Sequence, residues 1–280
     1  MGSSPNQARQ AARVLVCVLA AGSSARMGFP KLLATYPGPD GGGTRLLERA
    51  CRAALDSRAA QVAVVTGAYA AEMAPFIERL SETCANSERR AAAGPETATG
   101  EAAPTREVGP AGPSMPAALL GHRLVTLYND AWSQGQSSSV GLAARYALAH
   151  RFEAVIFMAA DQPFVEAAHL DALIAAFENM QAAGPTDAPG SPYALRSRCG
   201  EQQGNPCLFP REALPLFETL AGDEGARQLF RSGALVAVPT DIPPVPECDV
   251  FCDLDTRKEF MEFSWFAARK AGHRSRGPIG

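Results

Sequence analysis

Val14-Leu-Val-Cys-Val-Leu-Ala-Ala-Gly-Ser-Ser-Ala-Arg-Met-Gly-Phe-Pro-Lys31 decides how this chain folds. Its first part, Val14–Leu19, is apolar at every position. A strand buried on both faces needs that pattern, and such strands belong to parallel sheets covered by helices. A turn of small residues, two hydroxyls and two cations comes next. Further apolar runs stand at 61–66 (QVAVVT), 123–128 (RLVTLY) and 154–159 (AVIFMA), separated by segments of helical composition at 46–58, 70–80, 138–150 and 165–180. Strand and helix alternating this often predict an α/β protein, a three-layer α/β/α arrangement around a mostly parallel, doubly wound (Rossmann-like) sheet.

From about residue 190 the pattern loosens. Short strands are expected at 207–209, 235–238 and 250–252, forming a cap on the carboxyl edge of the sheet, before a last helix at 257–270. The resulting layout is a flexible start (1–12), one domain (13–270) and a flexible tail (271–280). Residues 83–121 are rich in Ala, Gly, Pro, Glu and Thr and are expected to be a disordered insertion. Pro37–Gly43 (PGPDGGG) reads as a flexible loop.

With 280 residues, 46% hydrophobic and 20% charged, the chain has the make-up of a folded protein with a proper core. A net charge of −3 argues against nucleic acid as a partner. The apolar run 14–21 is far shorter than the ~20 residues that span a bilayer, so no membrane is expected and a cytoplasmic location is the default. Seven scattered cysteines read as reduced thiols; Cys248 and Cys252 make a lone C-x3-C without a second pair at zinc spacing.

Open α/β sheets bind ligands at their carboxyl edge, which is where the 20–31 turn must lie. Ala20, Ala21 and Gly22 permit close backbone approach, Ser23 and Ser24 add hydroxyls and amides, and Arg26 and Lys31 add positive charge. That combination suits a polyphosphate. It is no Walker loop, because Met27 stands where the second glycine is required. Ser24 likewise breaks the dinucleotide G-x-G-x-x-G pattern. Serine hydrolysis at Gly135-Gln-Ser-Ser-Ser139 is excluded by Ser139 in the elbow's last position.

The pattern Gly22-x-Ser24-x-Arg26-Met27-Gly28-x-x-Lys31 after Leu19-Ala-Ala resembles the signature of the MobA-like nucleotidyltransferases, and within them most resembles the molybdenum cofactor cytidylyltransferases. Asn129-Asp-Ala-Trp-Ser-Gln-Gly135, Asp161-Gln-Pro163, Gly204-Asn-Pro206, Gly222-Asp-Glu-Gly-Ala-Arg227 and Asp253-Leu-Asp-Thr256 come after it in the family's order. The resemblance implies a nucleotide-diphospho-sugar-transferase-like fold. It also implies transfer of a nucleoside monophosphate from an NTP, CTP first among them, to the phosphate of molybdopterin, with release of pyrophosphate.

Under that resemblance Arg26, Lys31 and Asp161 carry the chemistry. The nucleotide is expected at Leu19–Ser24, Arg26, Lys31, Thr66, Gly67, Asn129, Gly135, Ser137 and Ser138. The acceptor is expected at Gly204, Asn205, Pro206, Asp223 and Arg227. Mg2+ is expected on Asp161, Asp253 and Asp255, since hard oxygens with open positions suit that ion. A phosphate nucleophile is already ionised near pH 7, so no general base is needed, and the four histidines lie outside these motifs.

Each residue also has a structural role open to it. Asp161 suits a turn or a cap for the helix after it, Asp253 and Asp255 a cap for the last helix, Asn129 an Asx-turn, and Ser137–Ser139 a helix start. Other readings of function are the same fold with GTP or a sugar or alditol phosphate, or a non-catalytic partner that passes the cofactor to a molybdoenzyme or its maturation chaperone.

Overall fold

The computed structural model describes residues 11–38, 42–93, 123–183, 192–223 and 225–274. Nine strands and six helices are assigned among them. Seven strands form one sheet in the order β5-β4-β1-β6-β8-β7-β9. These are β1 (Val14–Ala20), β4 (Gln61–Thr66), β5 (Leu124–Tyr128), β6 (Ala154–Ala159), β7 (Tyr193–Cys199), β8 (Gln202–Pro210) and β9 (Val236–Asp241). All run the same way except β8, which is antiparallel to both neighbours.

The apolar runs explain this order. In β1, Val14, Val16 and Val18 enter one core while Leu15 and Cys17 enter the other, and all five are fully buried. α1 (Leu46–Leu55), α2 (Ala70–Ala93), α4 (Ala167–Ala183) and α6 (Arg257–Arg274) contribute to the first core. α3 (Gln136–Ala149), a 3-10 segment at Arg211–Thr219 and α5 (Arg227–Arg231) pack on the second. The expected three-layer fold is what forms.

The second half departs from expectation. The strands after residue 190 extend the sheet and do not cap it. β7 is an additional strand, and Arg196 and Arg198 within it obscure its apolar alternation. The 207–209 run is part of the longer β8, which carries an irregularity opposite Arg196/Ser197. No strand forms at 250–252, because the Asp249 carboxylate and carbonyl accept the amides of Phe251 (2.9 Å) and Cys252 (3.2 Å) in a local turn.

Helix α2 runs to Ala93, so 83–93 is helical and not disordered. Ala, Glu and Arg are good helix formers, and the first glycine and proline after Ala70–Leu80, Pro75 aside, come only at Gly94 and Pro95. The rest of the expected insertion, 94–121, lies outside the described residues, as do 1–10 and 275–280. Residues 271–274 of the expected tail continue α6. The expected loop 37–43 is pinned at its ends, where Pro37 of β2 (Thr35–Pro37) pairs antiparallel with Gly43 of β3 (Gly43–Arg45), and its residues 39–41 lie outside the described residues. The cysteines stand as thiols, and burial pushes those of Cys51 and Cys207 up to about 12.

Candidate active site

A cleft of about 570 Å³ opens at the carboxyl edge of β1 and β6. Leu19 to Met27 and Lys31 line one stretch of it, and Asp161 and Asp255 another. Further lining comes from Trp132, the start of α3 (Gly135, Gln136, Ser139) and Asp223.

The turn after β1 is held from behind. The Ala68 amide donates to the Ala21 carbonyl at 3.1 Å, and the Tyr69 hydroxyl donates to the Ser23 carbonyl at 3.1 Å. Ser24 sits at φ +52, a left-handed conformation that costs a non-glycine residue on the order of 1 kcal/mol and recurs at ligand loops. Gly67 lets β4 approach this turn, for a Cβ there would meet the Trp132 Cβ at 2.6 Å and the Ala21 carbonyl oxygen at 2.7 Å. The Arg26 side chain is 76% exposed, whereas that of Lys31 is 11% exposed.

Lys31 gathers the acidic groups. Its ammonium donates to Asp161 Oδ2 at 2.6 Å, the Leu254 carbonyl at 2.8 Å and Asp255 Oδ1 at 3.2 Å. Arg26 donates to Asp255 Oδ2 at 3.1 Å. Residues far apart in the chain thus meet at one point. Neither acid caps a helix: Thr256 and Glu259 form a reciprocal capping box at α6, with Glu259 N–H to Thr256 Oγ1 at 3.2 Å and Thr256 N–H to Glu259 Oε2 at 2.8 Å. This leaves Asp255 free to face the cations.

The electrostatics reflect these contacts. Burial works to raise the Asp255 carboxyl, but the Lys31 hydrogen bond and the charges of Lys31 and Arg26 outweigh it, holding it below the ordinary value. Asp253 is exposed as a residue, yet lost hydration at its carboxyl and the charge of Asp161 push it up to about 6, against a hydrogen bond from Gln162. Gln162 is buried and its Oε1 is unpartnered. Two carboxylates pressing on one another, one of them driven toward protonation, form a donor set that a hard divalent cation relieves. Among the described residues no group of three His, Cys, Asp or Glu is arranged to hold a metal ion by itself. Mg2+ does not require such a group, since it keeps waters and phosphate oxygens in its shell.

Other expected residues stand outside the lining of the cleft, among them Thr66, Gly67, Asn129, Ser137, Ser138 and Asp253. Asn129 is buried with its polar atoms engaged internally: Nδ2 donates to Ser138 Oγ (2.8 Å) and Ser139 Oγ (2.9 Å), and Oδ1 accepts the Ala131 amide at 3.1 Å as an Asx-turn. Ser137 is buried behind the cleft, its amide on the Gly222 carbonyl at 3.0 Å. That contact seats the 222–223 turn against Gly135 (φ +100), where a Cβ would meet the Gly222 carbonyl at 2.6 Å and the Asp223 carboxylate. Thr66 is buried at the end of β4. Gly204 admits the Phe251 ring, which a Cβ would meet at 2.5 Å, while Pro206 is buried beside exposed Asn205. Arg227 is exposed at the start of α5; it and Gly204–Pro206 are not among the residues lining the cleft.

Sequence reasoning missed the Leu254 carbonyl, because side-chain identity does not reveal a backbone acceptor. It also gave no role to Trp132 or Gln162, although both lie inside the motifs 129–135 and 161–163.

The match to a family model settles the kinship: the MobA-like NTP transferase domain covers residues 16–108 and 102–240. This chain belongs to the MobA-like NTP transferase family. Among individual relatives of this MobA-like chain, the purine catabolism protein PucB of Bacillus subtilis (strain 168) is 33% identical over 128 residues, 45% of this chain and 55% of PucB. The chain thus spans about half the length of that curated relative. Solved structures share the fold. An Rv0371c homologue from Mycobacterium sp. strain JC1 has a TM-score of 0.56 at 22% identity, covering 92% of this chain and 98% of its own. A nucleotidyl transferase from Methanothermobacter thermautotrophicus has 0.54 at 18%, with 92% and 98% covered. The 4-diphosphocytidyl-2C-methyl-D-erythritol synthase of Anaerococcus prevotii has 0.54 at 12%, with 95% and 97% covered. Among the described residues no helix is long and apolar enough to cross a membrane.

Proposed function

We propose that this MobA-like nucleotidyltransferase transfers the cytidylyl group of CTP to the phosphate of a molybdopterin-type acceptor and releases pyrophosphate. The observation that carries the reaction class is the convergence of Lys31, Arg26, Asp161 and Asp255 at the mouth of the 22–31 turn. The choice of CTP and of a pterin acceptor rests on the resemblance of Leu19–Ser24 and the motifs after it to the cytidylyltransferases.

In this reading the amides of the 22–26 turn receive the triphosphate, because successive backbone N–H groups favour anions. Arg26, exposed and long in reach, takes outer phosphate oxygens and accompanies the departing pyrophosphate. Asp161, Asp253 and Asp255 would hold Mg2+, which supplies charge neutralisation across the α-phosphate and the incoming phosphate. An acceptor phosphate oxygen forms the new bond to the α-phosphorus as the bond to pyrophosphate breaks, and no protein base is required. Of the residues expected for the acceptor, Asp223 lines the cleft and supports this reading, whereas Gly204–Pro206 and Arg227 do not.

The test is pyrophosphate release from each of the four NTPs with Mg2+ and a molybdopterin-type acceptor. CTP is expected to lead by at least tenfold in kcat/KM; preference for GTP, or turnover with sugar phosphates alone, overturns the substrate assignment and leaves the reaction class.

A further inference from the structure

Lys31 occupies an odd position for a phosphate-binding cation. Its ammonium has three protons, and three oxygens from two separate loops stand within hydrogen-bond distance: Asp161 Oδ2, Asp255 Oδ1 and the Leu254 carbonyl. Two carboxylates and a carbonyl are the oxygen set that a hard divalent ion takes. Directed at them, the ammonium has no proton left for a phosphate.

Charge gives the same message. Asp161, Asp253 and Asp255 carry three negative charges against the two positive charges of Arg26 and Lys31. A divalent ion arriving with both side chains in place would sit beside a buried ammonium and be repelled by it. Once phosphates draw Arg26 and Lys31 outward, the three carboxylates are left in want of a cation.

We propose that the Lys31 ammonium is the resident counter-ion of the free protein, standing between Asp161 and Asp255 where a divalent cation stands in the working complex, so that ion and lysine exclude one another until nucleotide phosphates draw the lysine away. The inference rests on the metal-dependent reading of this site. Ion and triphosphate binding then promote one another through a single side chain, and by linkage the effect is reciprocal.

Mn2+ alone, without nucleotide, is the probe. Lys31→Gln is expected to bind Mn2+ at least tenfold tighter than the natural chain in a titration monitored by the free Mn2+ electron-spin signal, with Asp161→Asn abolishing that binding. A second readout needs no substitution. The chain has three lysines, and Lys258, whose side chain is 84% exposed, serves as internal standard. Saturating Mn2+ is expected to raise reductive methylation of Lys31 at least fivefold relative to Lys258. Equal Mn2+ affinity in both chains, or unchanged Lys31 labelling when Mn2+ is bound through Asp161, overturns the exclusion and spares the metal reading. Absence of Mn2+ binding in both chains overturns the two together. Should Lys31→Gln fail to fold, the labelling result alone decides.

Discussion

The sheet has two halves built on different terms. β5, β4, β1 and β6 are parallel, and the central β4, β1 and β6 are apolar nearly throughout and buried on both faces; β8, β7 and β9 mix charge, proline and a reversed strand. The first half supplies the 20–31 turn and Asp161 directly from strand ends. The second reaches the site through loops, the 222–223 turn between β8 and β9 and the long return after β9 that delivers Asp253–Asp255. Chemistry at a strand end is fixed by the sheet itself, whereas chemistry on a return loop depends on what pins the loop, here Lys31 and the α6 capping box.

Substitutions can strain that contrast. Asp161→Asn strikes the strand-end half and is expected to lower kcat by about 10³-fold with circular dichroism unchanged; turnover within tenfold of the natural chain would move the chemistry elsewhere. Phe209→Ala attacks the seam between the halves. Phe209 is 1% exposed and packs on Phe157 and Phe217, with centroids 5.5 and 5.0 Å away. A loss of about 3–5 kcal/mol is expected in urea denaturation, still as one cooperative transition; two separated transitions would show that the halves fold independently. Arg26→Ala removes an exposed cation and is expected to raise the KM for the NTP about tenfold with little change for the acceptor, as befits the loss of one charge-assisted contact. An unchanged KM would take Arg26 out of the triphosphate site.

The smallest effect concerns pH. His169, in the first turn of α4, accepts the Glu166 amide at Nδ1 (2.8 Å) and so donates from Nε2 to the Pro243 carbonyl (3.0 Å), tying the two halves. Burial lowers its pKa, against smaller opposing effects of Glu166 and the Pro243 carbonyl. The unfolded chain therefore binds the proton more readily. His169's share of stability is full above about pH 6.5 and is lost as pH falls through its lower folded value. Denaturation midpoints at pH 7.5 and 5.5 should diverge more in the natural chain than in His169→Gln; equal divergence would remove the histidine from this role.

The same contrast governs what is legible in the sequence. Val14–Leu19, Gln61–Thr66 and Ala154–Ala159 stand out because a doubly buried strand admits almost nothing polar. β7 does not, because Arg196 and Arg198 sit within it, the latter paired across the strands with Asp241 at 2.6 Å. At the site, Arg26, Lys31, Asp161 and Asp255 are legible as types in a pattern. Their joining through the Leu254 carbonyl is not, for every residue has that group. Thr256-x-x-Glu259 is a visible capping signal, and reading it frees Asp255 from the helix-cap alternative. The internal use of Asn129 depends on a geometry that spacing alone does not give.

The reversed course of β8 has one more consequence. Because β7 and β8 pair from Cys199 to Gln202, the two-residue bend at Gly200 and Glu201 projects from the same rim as the 20–31 turn. Gly200 has open space around it, with no atom within 4 Å of where a Cβ would stand. Residues inserted at that bend would lengthen a free tip and leave the strand register and Asp161 undisturbed, so this rim offers a place to graft new contacts without rebuilding the cleft.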